Sequence, residues 1–527
     1  AEPSQYKSVP PTLTPTCAPT NTAAPSSRLT SFLSVYATPY QSYLESAVST
    51  AFGVTALVGK IFIPVEIFEA FVVFVDTCGF VVQAATINIP NSWQEKFSTA
   101  LLLDDQEVLL IGDALYVGKS IGLLAKFDGS GQFIEATGMS WSDHVAFTSA
   151  VRVRGSRNLF VGYSGEGVNY HDVFVALADT NGNVLWAKKY SSNGRDEGLS
   201  ATETANGFIV VGIHKSGSDG FVMLVSNSGD VSYQKSILES ELRHVLATRA
   251  GGYVAIGRST VDDEVNGLIL LGHANGQIAK LLRFKIAGST FPLIGQSLYE
   301  LANGNFAVIF DAYGDARGSY LSQVVVAEID IYDGIVKGAH YLGTNSVDLR
   351  VFGHSLFWSS HGGVGIAGHQ RSGYGTYDFF FGELTDALNL PGYSLYTALR
   401  DGELQVAEMS AEGFVVDADF TETGATGFEV VKFPSSVFKE FAVIEQRSSF
   451  ADECIVSPVT PSPSAKPTSA APTMRPTHRP TTRSPTSKPS TAEPSQMPTA
   501  RPSSNPSTAR PSNRPTTASP TQSGETV

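Results

Sequence analysis

The chain has 527 residues and a formal net charge of −14. That length suffices for one large all-β domain or two ordinary domains, and the acidic balance disfavours binding to nucleic acid. The most apolar run, residues 61–75, is interrupted by Pro64, Glu66 and Glu69, so it is too short to span a bilayer.

Residues 1–30 form a Pro/Thr-rich segment that we expect to be extended. Pro11, Pro15 and Pro19 are each followed by Thr, and proline favours the polyproline II conformation. The pentapeptide at residues 1–5, Ala-Glu-Pro-Ser-Gln, recurs at residues 492–496. The two flanks are therefore interpreted as one kind of repetitive linker, with a folded head between them like a bead on a string.

The next two segments lead into the head. Residues 31–54 have apolar side chains at a three-and-four spacing, which predicts one or two short helices or a cap. Residues 55–97 form a leading β-hairpin region, because the apolar strand at 71–75 is followed by an Asp-x-x-Gly turn.

An internal repeat dominates residues 98–445. Each unit of about 50 residues has an apolar strand with a flanking Gly, then a second apolar strand that in the clearer copies ends in Asp-x-x-Gly. The first strand recurs at residues 108–112, 159–162, 207–212, 252–257, 304–310, 363–368 and 413–417. A unit of this size holds about four short strands, as a β-propeller blade does.

The repeat count leaves the blade number open. The first strand occurs seven times and the hairpin eight times, the extra hairpin being residues 71–87. The predicted fold is therefore an all-β propeller, most simply with seven blades and otherwise with eight, flanked by extended polyproline II segments.

The repeat resembles secreted propellers with the pattern Gly-Gly-Tyr-x-x-x-Gly followed by Asp-x-Phe-x-x-x-x-Asp-x-x-Gly-x-x-x-Trp. Residues 251–257 and 172–186 carry the likeness best. The resemblance implies the fold and no particular chemistry, because propellers host unrelated functions.

Residues 446–527 form a Pro-Ser/Thr-rich segment, predicted to be an extended polyproline II stalk. From Pro463 to Pro520 its prolines recur every four or five residues and each is followed by Ser or Thr, a composition typical of O-glycosylated stalks. Residues 456–527 carry eight cations and two acids, a net charge of +6, which leaves −20 for residues 1–455.

The chain has no Asn-x-Ser/Thr sequon, so we expect its glycans to be O-linked and its prolines to be candidates for hydroxylation. The O-glycosylation candidates are Thr12, Thr16, Thr20, Ser464, Thr468, Thr473, Thr477, Thr481, Thr486, Ser490, Ser495, Thr499, Ser503, Ser507, Ser512, Thr516 and Thr521. The hydroxyproline candidates are Pro467, Pro472, Pro476, Pro480, Pro485, Pro489, Pro494, Pro498, Pro502, Pro506, Pro511 and Pro515.

The three cysteines are Cys17, Cys78 and Cys454. Cys17 and Cys454 flank the predicted head, so one hypothesis is a disulfide between them at its base. The alternatives are free thiols or pairing between chains. The spacing is not that of zinc ligands.

The head contains few candidate ligand-binding or metal-binding side chains. His354 and His361 share one connection, and His369 follows a strand; each is a weak ligand candidate beside the plainer interpretation of a loop histidine. The acidic groups at residues 104–105 and 262–264 and the pair Asp417 and Asp419 are candidates to line a mouth or to bind calcium. The plainer interpretation is a solvated surface.

The letters Gly-x-Ser-x-Gly at residues 118–122 and Gly-x-Gly-x-x-Gly at residues 363–368 open no helix. Neither is therefore expected to be a nucleophile elbow or a dinucleotide loop. We predict no catalytic residues, no metal and no cofactor.

The prolines that recur every four or five residues, and the compact β head between two Pro-rich flanks, resemble hydroxyproline-rich wall glycoproteins and mastigoneme-type (flagellar hair) glycoproteins. This resemblance implies a secreted structural subunit that self-associates into an extracellular filament or coat and carries covalent O-glycans. The alternatives are a cell-surface lectin or adhesin on a spacer stalk and, less expected, a secreted carbohydrate-active enzyme. Neither nucleic acid nor a membrane span is expected.

Overall fold

The computed structural model describes residues 32–447, except 64–66, 104–105, 142–143, 166–170, 193, 216–218, 290, 316–319, 344–348, 360–362, 373–376, 386–387, 389–395, 400–401, 413, 425–428 and 441–443. Both Pro-Ser/Thr flanks, and so every O-glycosylation and hydroxyproline candidate, lie outside the described residues.

The described part is built almost entirely of antiparallel strands. In chain order they are β1 Phe32–Ala37, β2 Gln41–Ser49, β3 Thr55–Ile63, β4 Ile67–Val75, β5 Val81–Ile87, β6 Ser92–Leu102, β7 Val108–Tyr116, β8 Lys119–Phe127, β9 Phe133–Ser140, β10 His144–Val153, β11 Arg157–Gly165, β12 Asp172–Asp179, β13 Val184–Ser191, β14 Glu197–Thr204, β15 Gly207–His214, β16 Asp219–Val225, β17 Val231–Ile237, β18 Ser240–Ala247, β19 Tyr253–Val261, β20 Glu264–Gly272, β21 Ile278–Ile286, β22 Leu293–Glu300, β23 Phe306–Asp315, β24 Tyr320–Asp330, β25 Ile335–Leu342, β26 Leu349–Trp358, β27 Val364–Ser372, β28 Tyr377–Leu384, β29 Tyr396–Ala398, β30 Leu404–Met409, β31 Val415–Asp417, β32 Thr421–Gly424, β33 Glu429–Phe433, β34 Phe438–Glu440 and β35 Ile444–Arg447.

Consecutive strands form arrays of four, counted from the inner strand outwards. The first six arrays are β2–β5, β6–β9, β10–β13, β14–β17, β18–β21 and β22–β25, and the seventh is β26–β28 completed by β1. The first two arrays share one sheet through a parallel bridge between Phe68 and Gln94. The fold class predicted from the sequence, an all-β propeller, is confirmed. The blade number stays a prediction, because these two arrays are joined.

A fifth strand lies outside every array, and all seven of these strands come from residues 396–447. They pair in reverse order, from β29 on the sixth array through β30, β31, β32, β33 and β34 to β35 on the seventh. We call these seven strands the belt. The belt therefore runs once around the outer edges of the arrays.

The Asp-x-x-Gly turns form as predicted. The carboxylate of Asp128 accepts hydrogen bonds from the backbone N–H groups of Ser130 and Gln132, each at 2.9 Å. Gly131 supplies the left-handed residue with φ of 93°. The same carboxylate-to-backbone bonds recur at Asp76 and Asp179.

Seven hydrophobic clusters in the described residues lie between neighbouring arrays. One of them unites Tyr36 and Phe379 of the seventh array with Phe71 of the first. The Tyr36 hydroxyl also donates to the carbonyl of Gly79 in the first array, at 2.6 Å. The arrays therefore form a closed ring, and β1 helps to close it.

The structure corrects three predictions from the sequence. Residues 31–54 hold strands β1 and β2 in place of short helices, because their apolar side chains pack into neighbouring arrays. The propeller starts before residue 98, since β2–β5 form an array of the same kind. The repeat copy assigned to 413–417 contains β31, a belt strand. No helix among the described residues is long and apolar enough to cross a membrane.

Candidate functional site

The inner strands surround the centre of the ring, and each carries a bulge at the same position. The residues left unpaired by the register shift are Glu45, Ser98, Thr148, Leu199, Arg243, Gln296 and His354. A bulge re-aims a side chain and disrupts the local ladder. Several of these side chains link neighbouring arrays, as when Thr148 donates to the carbonyl of Gly198 at 2.5 Å.

The glycine that ends most repeat strands faces this bulge. A Cβ on Gly257 would lie 1.8 Å from the carbonyl oxygen of Glu241, and one on Gly112 would lie 1.9 Å from that of Lys96. Gly59, Gly162, Gly212 and Gly368 meet inner-strand carbonyls in the same way. The repeat glycine is therefore required by the close approach of the inner-strand backbone.

On one side of the ring a buried carboxylate joins two arrays. Asp311 accepts hydrogen bonds from the Gln296 amide at 2.7 Å and from the backbone N–H of Gly353 at 2.9 Å. Burial raises the pKa of Asp311 to about 7, against the lowering effect of these bonds and of Arg243. Arg243 in turn donates to the Gln296 side chain at 2.9 Å.

The structure brings together two of the predicted histidines. The rings of His354 and His369 stack with centroids 4.7 Å apart. Burial lowers the pKa of His354 to about 4 and that of His369 to about 3. Both rings are therefore neutral near pH 7 and act as packing groups between the seventh and first arrays. His361, the third candidate, lies outside the described residues.

The acidic candidates are not gathered into a cation site. Asp417 pairs with Lys235, and Asp419 lies 3.1 Å from Nε2 of His214. Residues 262 and 263 form the exposed turn before β20, and residues 104–105 are not described. Within the described ranges, no three His, Cys, Asp or Glu side chains group as metal ligands would.

One of the three cysteines lies in the part of the chain that the structure describes. Cys78, in the turn between β4 and β5, is buried and disulfide-bonded. Cys17 and Cys454 lie outside the described residues. Because the chain has three cysteines, a bond that uses Cys78 and a bridge between Cys17 and Cys454 cannot both form within one chain.

A cavity of about 460 Å³ lies where the inner strands of the second and third arrays begin. We call it the mouth cavity. Its lining comes from the first three arrays and comprises Lys60, Phe68, Gln94, Glu95, Lys96, Asp113, Leu115, Ser120, His144, Tyr163, Gly165 and His171. Its volume falls in the range usual for ligand pockets.

Cations in the mouth cavity are paired with carboxylates. Lys96 and Asp113 are cross-strand partners and lie 3.2 Å apart, so the Asp113 charge raises the pKa of Lys96. Lys60 lies 3.6 Å from Glu45 and 5.7 Å from the centre of the Phe68 ring. Each of these two lysine charges is therefore nearly cancelled by its carboxylate partner.

A stacked aromatic pair also lines the mouth cavity. The rings of Tyr163 and His171 are 4.3 Å apart and nearly parallel. Nδ1 of His171 lies 2.7 Å from Glu197, which Arg195 also contacts. Burial alone would raise the pKa of Glu197, but the bonds from His171 and Arg195 hold it below its usual value. The paired carboxylate fixes the orientation of the His171 ring.

Ser120 and His144 lie together in the mouth cavity without forming a nucleophile and base pair. The backbone N–H of Ser120 donates to Nδ1 of His144 at 2.8 Å. Nδ1 is therefore occupied, and Nε2 carries the ring proton as a donor. Residues 118–122 form the turn and start of β8, as expected for a hairpin. Sequence reasoning did not single out Lys60, Lys96, Tyr163 or His171, because strands distant in the chain bring them together.

No protein-family model matches the sequence, and no curated protein matches it. Solved structures similar to this chain include the Dos1 propeller, at 13% identity, with 64% of this chain and 77% of that chain covered and a TM-score of 0.40. A protein of unknown function from Dyadobacter fermentans matches at 11% identity over 67% of this chain and 97% of its own, also with a TM-score of 0.40. Sqt1 from Chaetomium thermophilum matches at 9% identity over 65% and 96%, with a TM-score of 0.39. These likenesses give no information about function.

Proposed function

We propose that the chain is a structural subunit of an extracellular glycoprotein filament or coat, with the propeller as a pendant head on an O-glycosylated Pro-Ser/Thr rod. The observation that carries the proposal is the position of the two ends of the head. Strand β1, which starts at Phe32, pairs with β35, which ends at Arg447, and Ser34 lies opposite Arg447.

This geometry attaches both flanks at one place. The N-terminal flank joins the head at Phe32 and the C-terminal flank joins it at Arg447, on neighbouring antiparallel strands. The repeated pentapeptide and the shared Pro-Ser/Thr step indicate that the flanks are one kind of segment. In the proposed assembly the head would hang from one side of a rod made by the flanks, which refines the bead-on-a-string hypothesis.

The outer edges of the head are also suited to a filament or coat, in which many heads would lie close together. The outermost strand of every array is a belt strand of three to six residues. Short edge strands offer few unpaired backbone groups, and so they limit edge-to-edge aggregation. Assembly would then use the flanks or the two faces of the ring.

Electron microscopy and intact mass of the native material test the proposal together. We expect filaments or a coat with regularly spaced globular heads, and a mass above the 56.1 kDa of the sequence. Peptide mapping should place the extra mass on the Ser and Thr that follow proline. A monodisperse monomer at the mass of the unmodified sequence would contradict the proposal.

A glycan-binding head is the second candidate function, and the mouth cavity is the observation in its favour. The cavity combines paired charges, neutral donors and aromatic rings on rigid strands. Binding sites commonly join an apolar lining to a few placed polar groups. Such a head would serve as a lectin or adhesin with the flank as its spacer.

A further inference from the structure

The mouth cavity offers hydrogen-bond donors and acceptors in close to equal measure. The hydroxyl of Tyr163 donates and accepts, and burial, followed by the nearby Asp113 charge, raises its pKa, so it stays protonated. His144 presents an Nε2–H donor, because its Nδ1 accepts from the Ser120 backbone. The Gln94 amide supplies a further donor and acceptor on the same lining.

The charges of the cavity exclude a strongly charged ligand. Lys96 is matched by Asp113 and Lys60 by Glu45, both within 4 Å. Glu95, the other acidic group of the lining, has its pKa raised to about 7 by burial and adds no positive charge for an anion to bind. An anion such as a phosphate or sulfate ester would meet the carboxylates as well as the cations. A neutral ligand rich in hydroxyl groups can instead bond to both members of each pair without leaving a buried charge unmatched.

The aromatic side chains give the cavity an apolar surface beside these polar groups. Tyr163 and His171 stack, and Phe68 lines the wall beside Lys60. Aromatic rings bury apolar groups well and tolerate polar atoms at their edges. This suits a sugar ring, which has C–H groups on its faces and hydroxyl groups around its rim.

We propose that the mouth cavity is a binding site for a short neutral saccharide. Tyr163 and Phe68 pack against the sugar rings, while Lys60, His144 and Gln94 bond to the hydroxyl groups. The proposal deepens the glycan-binding candidate above and does not depend on the filament proposal.

Calorimetric titration of the full chain with neutral hexose and pentose oligosaccharides tests the site, with glucuronate-bearing and sulfated counterparts as comparison probes. We expect saturable binding of a neutral oligosaccharide and weaker binding of the acidic probes. Replacing Lys60→Gln, which removes one charged donor, should weaken binding about tenfold. Tyr163→Phe keeps the ring and loses only the hydroxyl, so it should weaken binding about fivefold.

Two variants serve as matched controls. Lys337→Gln changes another ion-paired lysine, which lies 3.7 Å from Asp330 in the sixth array. Tyr299→Phe changes a half-buried tyrosine of the same array. Both should bind as the unchanged protein does, and all four variants should melt cooperatively.

Three outcomes would overturn the proposal: no binding of any neutral probe by the folded chain, preference for an acidic probe, or equal affinity in the cavity variants and their controls. Electron microscopy of the same preparations separates this result from the filament proposal. Filaments without saccharide binding would contradict only the proposed binding site. Saccharide binding by a monomer would contradict only the filament proposal.

Discussion

The glycine that ends most repeat strands is required by a backbone contact that the sequence alone does not reveal. In six arrays the inner-strand bulge brings a carbonyl oxygen to about where a Cβ would stand. In the remaining array, the sixth, Phe310 stands where the other arrays have this glycine, and Gly295 of the inner strand lies opposite it. Glycine is therefore needed on the second strand of an array wherever the inner-strand bulge brings its carbonyl oxygen against that strand.

Replacing Gly257 by Ala tests this account. The added Cβ would overlap the Glu241 carbonyl, so we expect the free energy of unfolding to fall by about 3 kcal/mol, read from urea denaturation. Gly338→Ala is the matched control, because no atom lies within 4 Å of its Cβ. It should be neutral or slightly stabilising. Equal losses in both variants would contradict the role of the bulge.

The buried Asp311 predicts a pH dependence of stability. Its folded-state pKa of about 7 lies above the usual value near 4, so the folded protein holds this proton more tightly than the unfolded chain. The resulting stability is fully present below about pH 4 and is lost as the pH rises to about 7. Glu95, whose pKa burial also raises to about 7, acts in the same direction.

Asp311→Asn should flatten this dependence. Urea denaturation between about pH 4 and pH 8 should show that the variant loses roughly 2 to 4 kcal/mol less stability than the unchanged protein over this interval. Asp262→Asn, in an exposed turn, is the control and should keep the original slope. If the Asn variant keeps that slope too, Asp311 does not titrate in this range.

At the scale of elements, the belt is held by strand pairing and by side chains, both of its strands and of the residues that connect them. Val437 enters the cluster between the first and second arrays, and Leu404 enters the one between the fifth and sixth. Phe420 packs against His214 and Phe221 of the fourth array. His214 itself is buried between Asp196 at 2.8 Å and Asp419, which lies between β31 and β32, at 3.1 Å.

Replacing Phe420 by Ala should loosen the belt locally. The lost burial is worth about 2 kcal/mol for a half-buried ring, so hydrogen exchange of β31 and β32 should become roughly 30-fold faster. Val430→Ala changes an exposed belt residue and should leave that exchange unaltered. Faster exchange throughout β14–β17 as well would show that the belt does not open as a separate unit.

At the scale of the whole molecule, the ring depends on a strand from the far end of the chain. Strand β1 lies next to β28, with Val35 opposite Phe380, and so completes the seventh array. Leu33 and Tyr36 are buried in the clusters on its two sides. Contacts between residues more than 300 positions apart therefore close the ring.

Two N-terminal deletions test the closure. Removal of residues 1–31 leaves β1 intact, and thermal unfolding should remain a single cooperative transition. Removal of residues 1–37 exposes the edge of β28 and opens two clusters, so the melting temperature should fall by more than about 10 °C or the transition should disappear. Both variants lack Cys17, so they differ only in β1. Identical melting would show that the ring closes without it.

The sequence by itself determined the all-β propeller class and the hairpin turns, since both rest on local signals. Alternating apolar strands and Asp-x-x-Gly turns act within a few residues, and their repetition every 50 residues or so is visible without a structure. The repeat glycine was also visible, although its reason was not.

Only the tertiary structure decided the roles of β1, β2 and the belt, and the composition of the mouth cavity. The spacing of residues 31–54 suits a helix, but burial between neighbouring arrays favours strands. The belt strands are three to six residues long and carry too little local pattern to be assigned. Lys60, Lys96 and Tyr163 come from three arrays, so only closure of the ring places them around one cavity.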